Sequence, residues 1–312
     1  MAIFEIHGKK IWVAGHNGMV GRAVVNLLKN YKCEILLVDR ENLDLTNQSN
    51  VMKWITYNKP DAIIICAARV GGILANSKFP AEFLYQNLMI ETNIINSAYK
   101  NDVERLLFLG SSCIYPKHCE QPMKENALLT GALESTNEWY AIAKIAGIKL
   151  CQAYREQYGI DFISAMPTNL YGPYDNFDVE TSHVIPALIR KSYEAHISKS
   201  GSILVWGTGT PKREFMHVND CASGIIYLLE NYSGKEHVNL GSGEEVSIKS
   251  LVKIINSTVG FRGEVKFDVS KPDGSPRKLL DTTKINSLGW HPKIKLEEGI
   301  RNTYLWFKEN YK

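Results

Sequence analysis

The chain has 312 residues, with 36 Lys and Arg against 33 Asp and Glu for a formal charge of +3, and 45% of its residues are hydrophobic against 22% charged. That balance excludes a disordered or fibrous chain and allows one large α/β unit or two modest domains. Basic residues are scattered among acidic ones, which argues against a nucleic-acid surface and favours a small anionic ligand over a polyanion.

In chain order, the first signal is the apolar run Ile11-Trp12-Val13-Ala14, entering Gly15-His16-Asn17-Gly18-Met19-Val20-Gly21 and then a helical pattern at Ala23, Val24, Leu27 and Leu28. This reads as strand, glycine turn and helix. A second strand, Glu34 to Val38, ends in Asp39-Arg40, and a helix is expected over 50–57. Asp61 to Ala67 reads as a buried strand, and Pro80 opens a long helix to about Lys100. Arg105 to Leu109 is the fourth strand, 138–158 a helix, and Asp161 to Met166 the fifth strand.

Continuously apolar strands alternating with amphipathic helices need helices on both faces, so the fold class is α/β with a Rossmann-type doubly wound parallel sheet. The expected division is a dinucleotide-binding domain over 1–173 and a smaller mixed α/β substrate lobe over 174–312, with segments returning to the sheet. In that second part a helix is expected over 183–195 and a glycine turn at Gly207-Thr208-Gly209.

Gly15-x-x-Gly18-x-x-Gly21 permits a tight turn, close approach of backbone to a pyrophosphate and close helix packing, with the phosphates at the helix N-terminus. Gly15, Gly18, Met19, Val20, Gly21 and Ala67 are the expected cofactor contacts, and the 3-3 spacing is typical of short-chain dehydrogenases/reductases. At the end of the second strand, Asp39 favours a free ribose 2′-hydroxyl and Arg40 a 2′-phosphate, so the two pull in opposite directions.

Tyr140 and Lys144 stand at i and i+4 on one helix and so face the same way. A phenol titrates near pH 10, and a neighbouring ammonium with a bound cofactor would stabilise its anion. Ser111, just past the fourth strand, lies at the carboxyl end where α/β sites form. Ser111, Tyr140 and Lys144 are therefore the expected ketone-reducing group. A second Y-x-x-x-K pair, Tyr304 and Lys308, lacks any strand-end serine upstream and reads as an ordinary amphipathic helix.

Three runs, Gly110-Ser111-Ser112-Cys113-Ile114-Tyr115-Pro116-Lys117, Tyr140-Ala141-Ile142-Ala143-Lys144-Ile145-Ala146-Gly147 and Pro167-Thr168-Asn169-Leu170-Tyr171-Gly172-Pro173, resemble the GDP-L-fucose synthase family of extended short-chain dehydrogenases/reductases. So do the runs from Ser182 to Ala187, Arg213 to Asp220 and Lys271 to Lys278, which together extend the resemblance over nearly the whole chain. It implies a GDP-4-keto-6-deoxy-mannose substrate, epimerisation at C3 and C5, and reduction at C4. It also implies NADP(H) as cofactor with NAD(H) as the alternative, and a homodimer. Cys113 and His183 match the epimerisation base and acid; protons next to a C4 ketone are acidic enough for that chemistry.

Asn169, Lys191, Trp206, Arg213 and Lys278 match the nucleotide-sugar site. Arg213 suits a diphosphate, or pairs with Glu214 or Asp220 inside the fold; Trp206 packs on the ligand or belongs to the core. Three positions depart from the family. Asn17 replaces a loop arginine, Asp39 stands where a neutral residue is common, and Lys191 replaces a substrate-binding arginine. The last leaves a related GDP-4-keto sugar, such as a heptose, as the alternative substrate. No C-x-x-C pair occurs among Cys33, Cys66, Cys113, Cys119, Cys151 and Cys221, so neither a metal site nor a disulfide framework is expected. No secretory signal or apolar membrane span is legible, so a cytoplasmic protein is expected.

Overall fold

The computed structural model describes residues 2–178, 181–271 and 273–311; Pro272, in the last family-like run, lies outside them. Strands β1 (Lys10–Ala14), β2 (Glu34–Leu36), β3 (Ala62–Ile65), β4 (Arg105–Leu109) and β5 (Asp161–Pro167) are interleaved with five helices. These are α1 (Met19–Leu28), α2 (Gln48–Asn58), α3 (Ile73–Lys78), α4 (Pro80–Lys100) and α5 (Glu138–Tyr158). There follow β6 (Asn169–Tyr171), α6 (Val184–Ile197), β7 (Ser202–Trp206), β8 (Lys212–His217), α7 (Val218–Asn231) and β9 (Val238–Leu240). The chain ends with β10 (Glu245–Ser247), α8 (Ile248–Val259), β11 (Glu264–Asp268), β12 (Arg277–Lys278), α9 (Thr283–Ser287) and α10 (Leu296–Asn310).

The main sheet has the order β2-β1-β3-β4-β5-β9 with every pair parallel, so the doubly wound architecture expected from the alternation is the one formed. Successive side chains serve opposite faces. Ile11, Val13, Ala62 and Ile64 pack with Val24, Leu28 and Ile225 of α1 and α7. Trp12, Ala14, Ile63 and Ile65 pack with Val51, Ile94 and Ile148 of α2, α4 and α5. Winding reverses between β1 and β3, which opens a crevice at their carboxyl ends.

Beyond β5 the chain alternates between this sheet and a second core. The α7 helix and β9 add to the main sheet, with α7 beside α1. Strand β8 gathers β10, β12 and β6, while β11 pairs with β7. Helices α6, α8 and α10 cover these strands around Ile189, Ile255 and Phe307. The Tyr304–Lys308 pair lies on α10, with Tyr304 packed against this core.

Arg105 ties the main sheet to α7. Its buried guanidinium bonds the Asp161 carboxylate and the carbonyls of Leu228, Leu229 and Tyr232, so a cation meets the carboxyl end of α7, where helix carbonyls lack partners. Among the described residues no helix is long and apolar enough to cross a membrane. No group of three His, Cys, Asp or Glu side chains there could hold a metal ion, and the six cysteines are free.

Candidate active site

The glycine turn is built for close approach. Gly15 has φ +88°, and a Cβ there would stand 2.6 Å from the Ala67 backbone; a Cβ on Gly21 would stand 2.2 Å from the Gly15 carbonyl oxygen. Gly18 caps α1, so Met19, Val20 and Gly21 form its first turn, whose N–H groups lack intrahelical acceptors. A dinucleotide pyrophosphate fits this cradle because side chains there would fill it.

At the end of β2, Asp39 accepts a 2.7 Å bond from the Asn17 amide, and His16 Nε2 lies 3.3 Å away. Arg22 donates to the Asn17 carbonyl at 2.9 Å and lies over the Tyr174 ring at 4.6 Å. Arg22 therefore brings a cation to the glycine turn. Sequence reading missed it because no spacing motif marks this contact from the first turn of α1 to Asn17.

The strand-end group assembles around the carboxyl end of β4. Ser111 caps a 3-10 turn, Ser112–Ile114, and its Oγ accepts from the Cys113 N–H at 3.5 Å. Tyr140 enters in the first turn of α5, and Lys144, one turn on, is 3% exposed. Its Nζ lies 4.5 Å from the Phe108 ring centroid, 5.9 Å from that of Tyr140 and 4.0 Å from Glu91 Oε2. Burial pushes the Tyr140 phenol well above its ordinary value, and Cys113 and Glu91 push it the same way. The lowering expected from Lys144 is not among these influences; its ammonium sits by the Phe108 ring and the Glu91 carboxylate, and the phenol is held protonated.

Cys113 is buried, and burial raises its thiol. Lys278 is the strongest opposing influence, followed by Ser111 and Lys144. The cation with most effect on this thiol thus comes from β12, far along the chain, and does not outweigh burial. Lys278 pairs in register with Arg213 of β8, so a second cation stands beside the one that faces Cys113.

Neither partner offered by the fold takes the Arg213 guanidinium. Glu214 accepts from the backbone of Gly243 and Leu280, and Asp220 from that of Lys293 and Ile294. Arg213 donates to its neighbour's carbonyl on Lys212 at 2.8 Å and to that of Asp273 at 3.4 Å, while the Asp273 carboxylate holds the turn after Trp206 through Thr208. Trp206 is 51% exposed and is not a core residue, with Lys191 and Lys271 ammoniums each 5.6 Å from its ring. Lys191 also donates to the Leu204 carbonyl, and Asn169 to that of Glu214. His183 stands at the N-cap of α6, and loss of hydration around its imidazole pushes its pKa down. Among the described residues no hydrogen bond joins His183 to Tyr140 or Cys113.

A glycine cradle at the switch point, a Tyr-Lys pair and a strand-end serine define an extended short-chain dehydrogenase/reductase. Residues 11–241 match the NAD dependent epimerase/dehydratase family. A GDP-L-fucose synthase of Sinorhizobium fredii is 56% identical over 310 residues, covering 99% of each chain. An NADP-bound GDP-L-fucose synthetase from Naegleria fowleri superposes with a TM-score of 0.92 at 30% identity, over 99% of this chain and 97% of that one. A GDP-6-OMe-4-keto-L-xylo-heptose reductase from C. jejuni superposes at 0.91 with 36% identity, over 98% and 99%. The chain belongs to the NAD dependent epimerase/dehydratase family and, within it, to the GDP-L-fucose synthases.

Proposed function

We propose that this protein is an NADPH-dependent 3,5-epimerase/4-reductase converting GDP-4-keto-6-deoxy-D-mannose to GDP-L-fucose. The observation that carries the reading is the convergence of Ser111, Cys113, Tyr140 and Lys144 at one strand end, with Lys278 brought against Cys113 by β12 and Arg213 beside Lys278 on β8. The cradle from Gly15 to Gly21 with Ala67 would hold the pyrophosphate, Asp39 and Arg40 the adenosine ribose, and Lys144 the nicotinamide ribose. When bound, the reduced cofactor supplies the hydride to C4.

Cys113 as thiolate removes the proton from C3 or C5, and the electrons move into the C4 carbonyl to give an enolate. Ser111 and Tyr140 donate hydrogen bonds to that oxygen. His183 returns a proton from the opposite face, inverting the carbon and restoring the ketone. The Tyr140 hydroxyl then protonates O4 as C4 is reduced. Arg213 and Lys278 hold the diphosphate, Asn169 the sugar, and Trp206 with Lys191 the nucleoside.

A second reading is a C4-reductase of a related GDP-4-keto heptose with little or no epimerisation, favoured by the close superposition on the heptose reductase. We place the cofactor domain at 1–173 and the substrate lobe at 174–312, in a cytoplasmic homodimer joined through α4 and α5. Tyr140→Phe tests the acid assignment: NADPH oxidation with the ketosugar falls by about 10²–10⁴-fold while NADPH binding persists. Wild-type turnover in that variant would refute it.

A further inference from the structure

Lys144 has a buried neighbour to which the chemistry above gives no task. Glu91, midway along α4, is 1% exposed; its Oε2 lies 4.0 Å from Lys144 Nζ, and apart from the Gly147 backbone N–H, which faces the carboxylate without a well-formed bond, its oxygens meet no hydrogen-bond partner among the described residues. A carboxyl group left bare in an apolar interior is costly unless a charge compensates it. The packing is made to admit it. A Cβ on Gly147 of α5 would stand 2.5 Å from the Phe108 ring and 3.0 Å from the Glu91 carboxyl carbon, so the glycine leaves room for the ring and the acid together.

We propose that Glu91 is a positioning residue for the reduction: its carboxylate anchors the Lys144 ammonium between Phe108 and Tyr140 and keeps that amine charged while it holds the ribose. The proposal rests on the roles given above to Tyr140 and Lys144. The groups facing the pair are Tyr140 and Cys151 of α5 toward Glu91, with Cys66 from the end of β3 and Cys113 from the turn after β4 toward Lys144. Burial pushes the Glu91 carboxyl up to about 8, with Lys144 the main influence pulling it back. Burial likewise lowers Lys144, with Glu91 the main influence holding it up. Once Glu91 is ionised its charge therefore keeps the proton on Lys144; without it, burial strips that proton at lower pH.

Glu91→Gln keeps the shape and removes the charge. The expected result is an alkaline limb of kcat displaced to lower pH by about one unit or more. Above about pH 8, where the Glu91 carboxyl is ionised, kcat falls by about tenfold, and the KM of the sugar stays within about twofold. Glu91→Asp restores part of the displacement, and it makes the same measurement if the Gln variant does not fold. A purely structural acid would lower the melting temperature and leave the limb in place, so a folded variant with the wild-type pH profile overturns the proposal. Lys144→Met and Tyr140→Phe separate the two readings. If both retain wild-type turnover, the Tyr-Lys assignment fails; if both lose it while the Gln profile is unmoved, Glu91 alone is wrongly assigned.

Discussion

Cys113→Ser is the substitution that divides the two halves of the chemistry. The side chain is 6% exposed, a hydroxyl is close to it in volume, and Lys278 and Ser111 offer it polar company, so the stability change is about 1 kcal/mol or less. Loss of a positioned base costs about 10²–10⁴-fold, or about 3–5 kcal/mol of barrier, far beyond that structural effect. The assay is uptake of solvent deuterium at C3 and C5 of the ketosugar in heavy water, followed by NMR without reduced cofactor. Reduction of a ketone already epimerised is measured separately. Exchange should collapse while that reduction changes by less than about tenfold. Since burial holds the thiol above its ordinary value, wild-type exchange rises about tenfold per pH unit through neutrality and levels off only in the alkaline range. Lys278→Met removes the main opposing influence and moves that plateau to higher pH at saturating sugar. Equal losses of exchange and reduction in Cys113→Ser, with folding intact, would show the residue to be structural.

Two further outcomes concern the cofactor. Gly21→Ala drives a methyl into the Gly15 carbonyl oxygen at 2.2 Å and His16 Cα at 2.7 Å, backbone that yields only if the turn opens, so dinucleotide affinity by calorimetry falls by about tenfold or more. Gly159→Ala, with φ +70° and open space around it, costs stability alone; equal binding by both variants would refute the cradle. Asp39→Ala removes the carboxylate that the Asn17 amide and His16 face, and shifts the ratio of kcat/KM for NADPH over NADH upward by about tenfold. An unchanged ratio would detach Asp39 from cofactor choice.

The main sheet was legible because its determinants are local. Pro80 in a first turn marks the start of α4, and β4 carries the apolar run Leu106 to Leu109 after Arg105. Strand β2 stops at Leu36, short of the expected Val38; it is the sheet's edge, and Leu37 is 44% exposed. The second lobe was harder to read because its strands are short and pair across long separations, as Arg213 does with Lys278, so no periodicity announces them. Ser111, Tyr140 and Lys144 were visible from spacing and strand context, whereas Cys113, His183 and the sugar site depended on resemblance. Glu91 had a faint signal, an acid amid Ile90, Ile94 and Ile95, but its meaning required the distance to Lys144.

The central claim is that one strand end performs both epimerisation and reduction. Wild-type protein incubated with GDP-4-keto-6-deoxy-D-mannose and NADPH in heavy water, with the product identified by NMR, tests it most directly. The expected product is GDP-L-fucose, inverted and deuterated at C3 and C5 and reduced at C4. A C4-reduced sugar that keeps its original configuration and protons at C3 and C5 would contradict it.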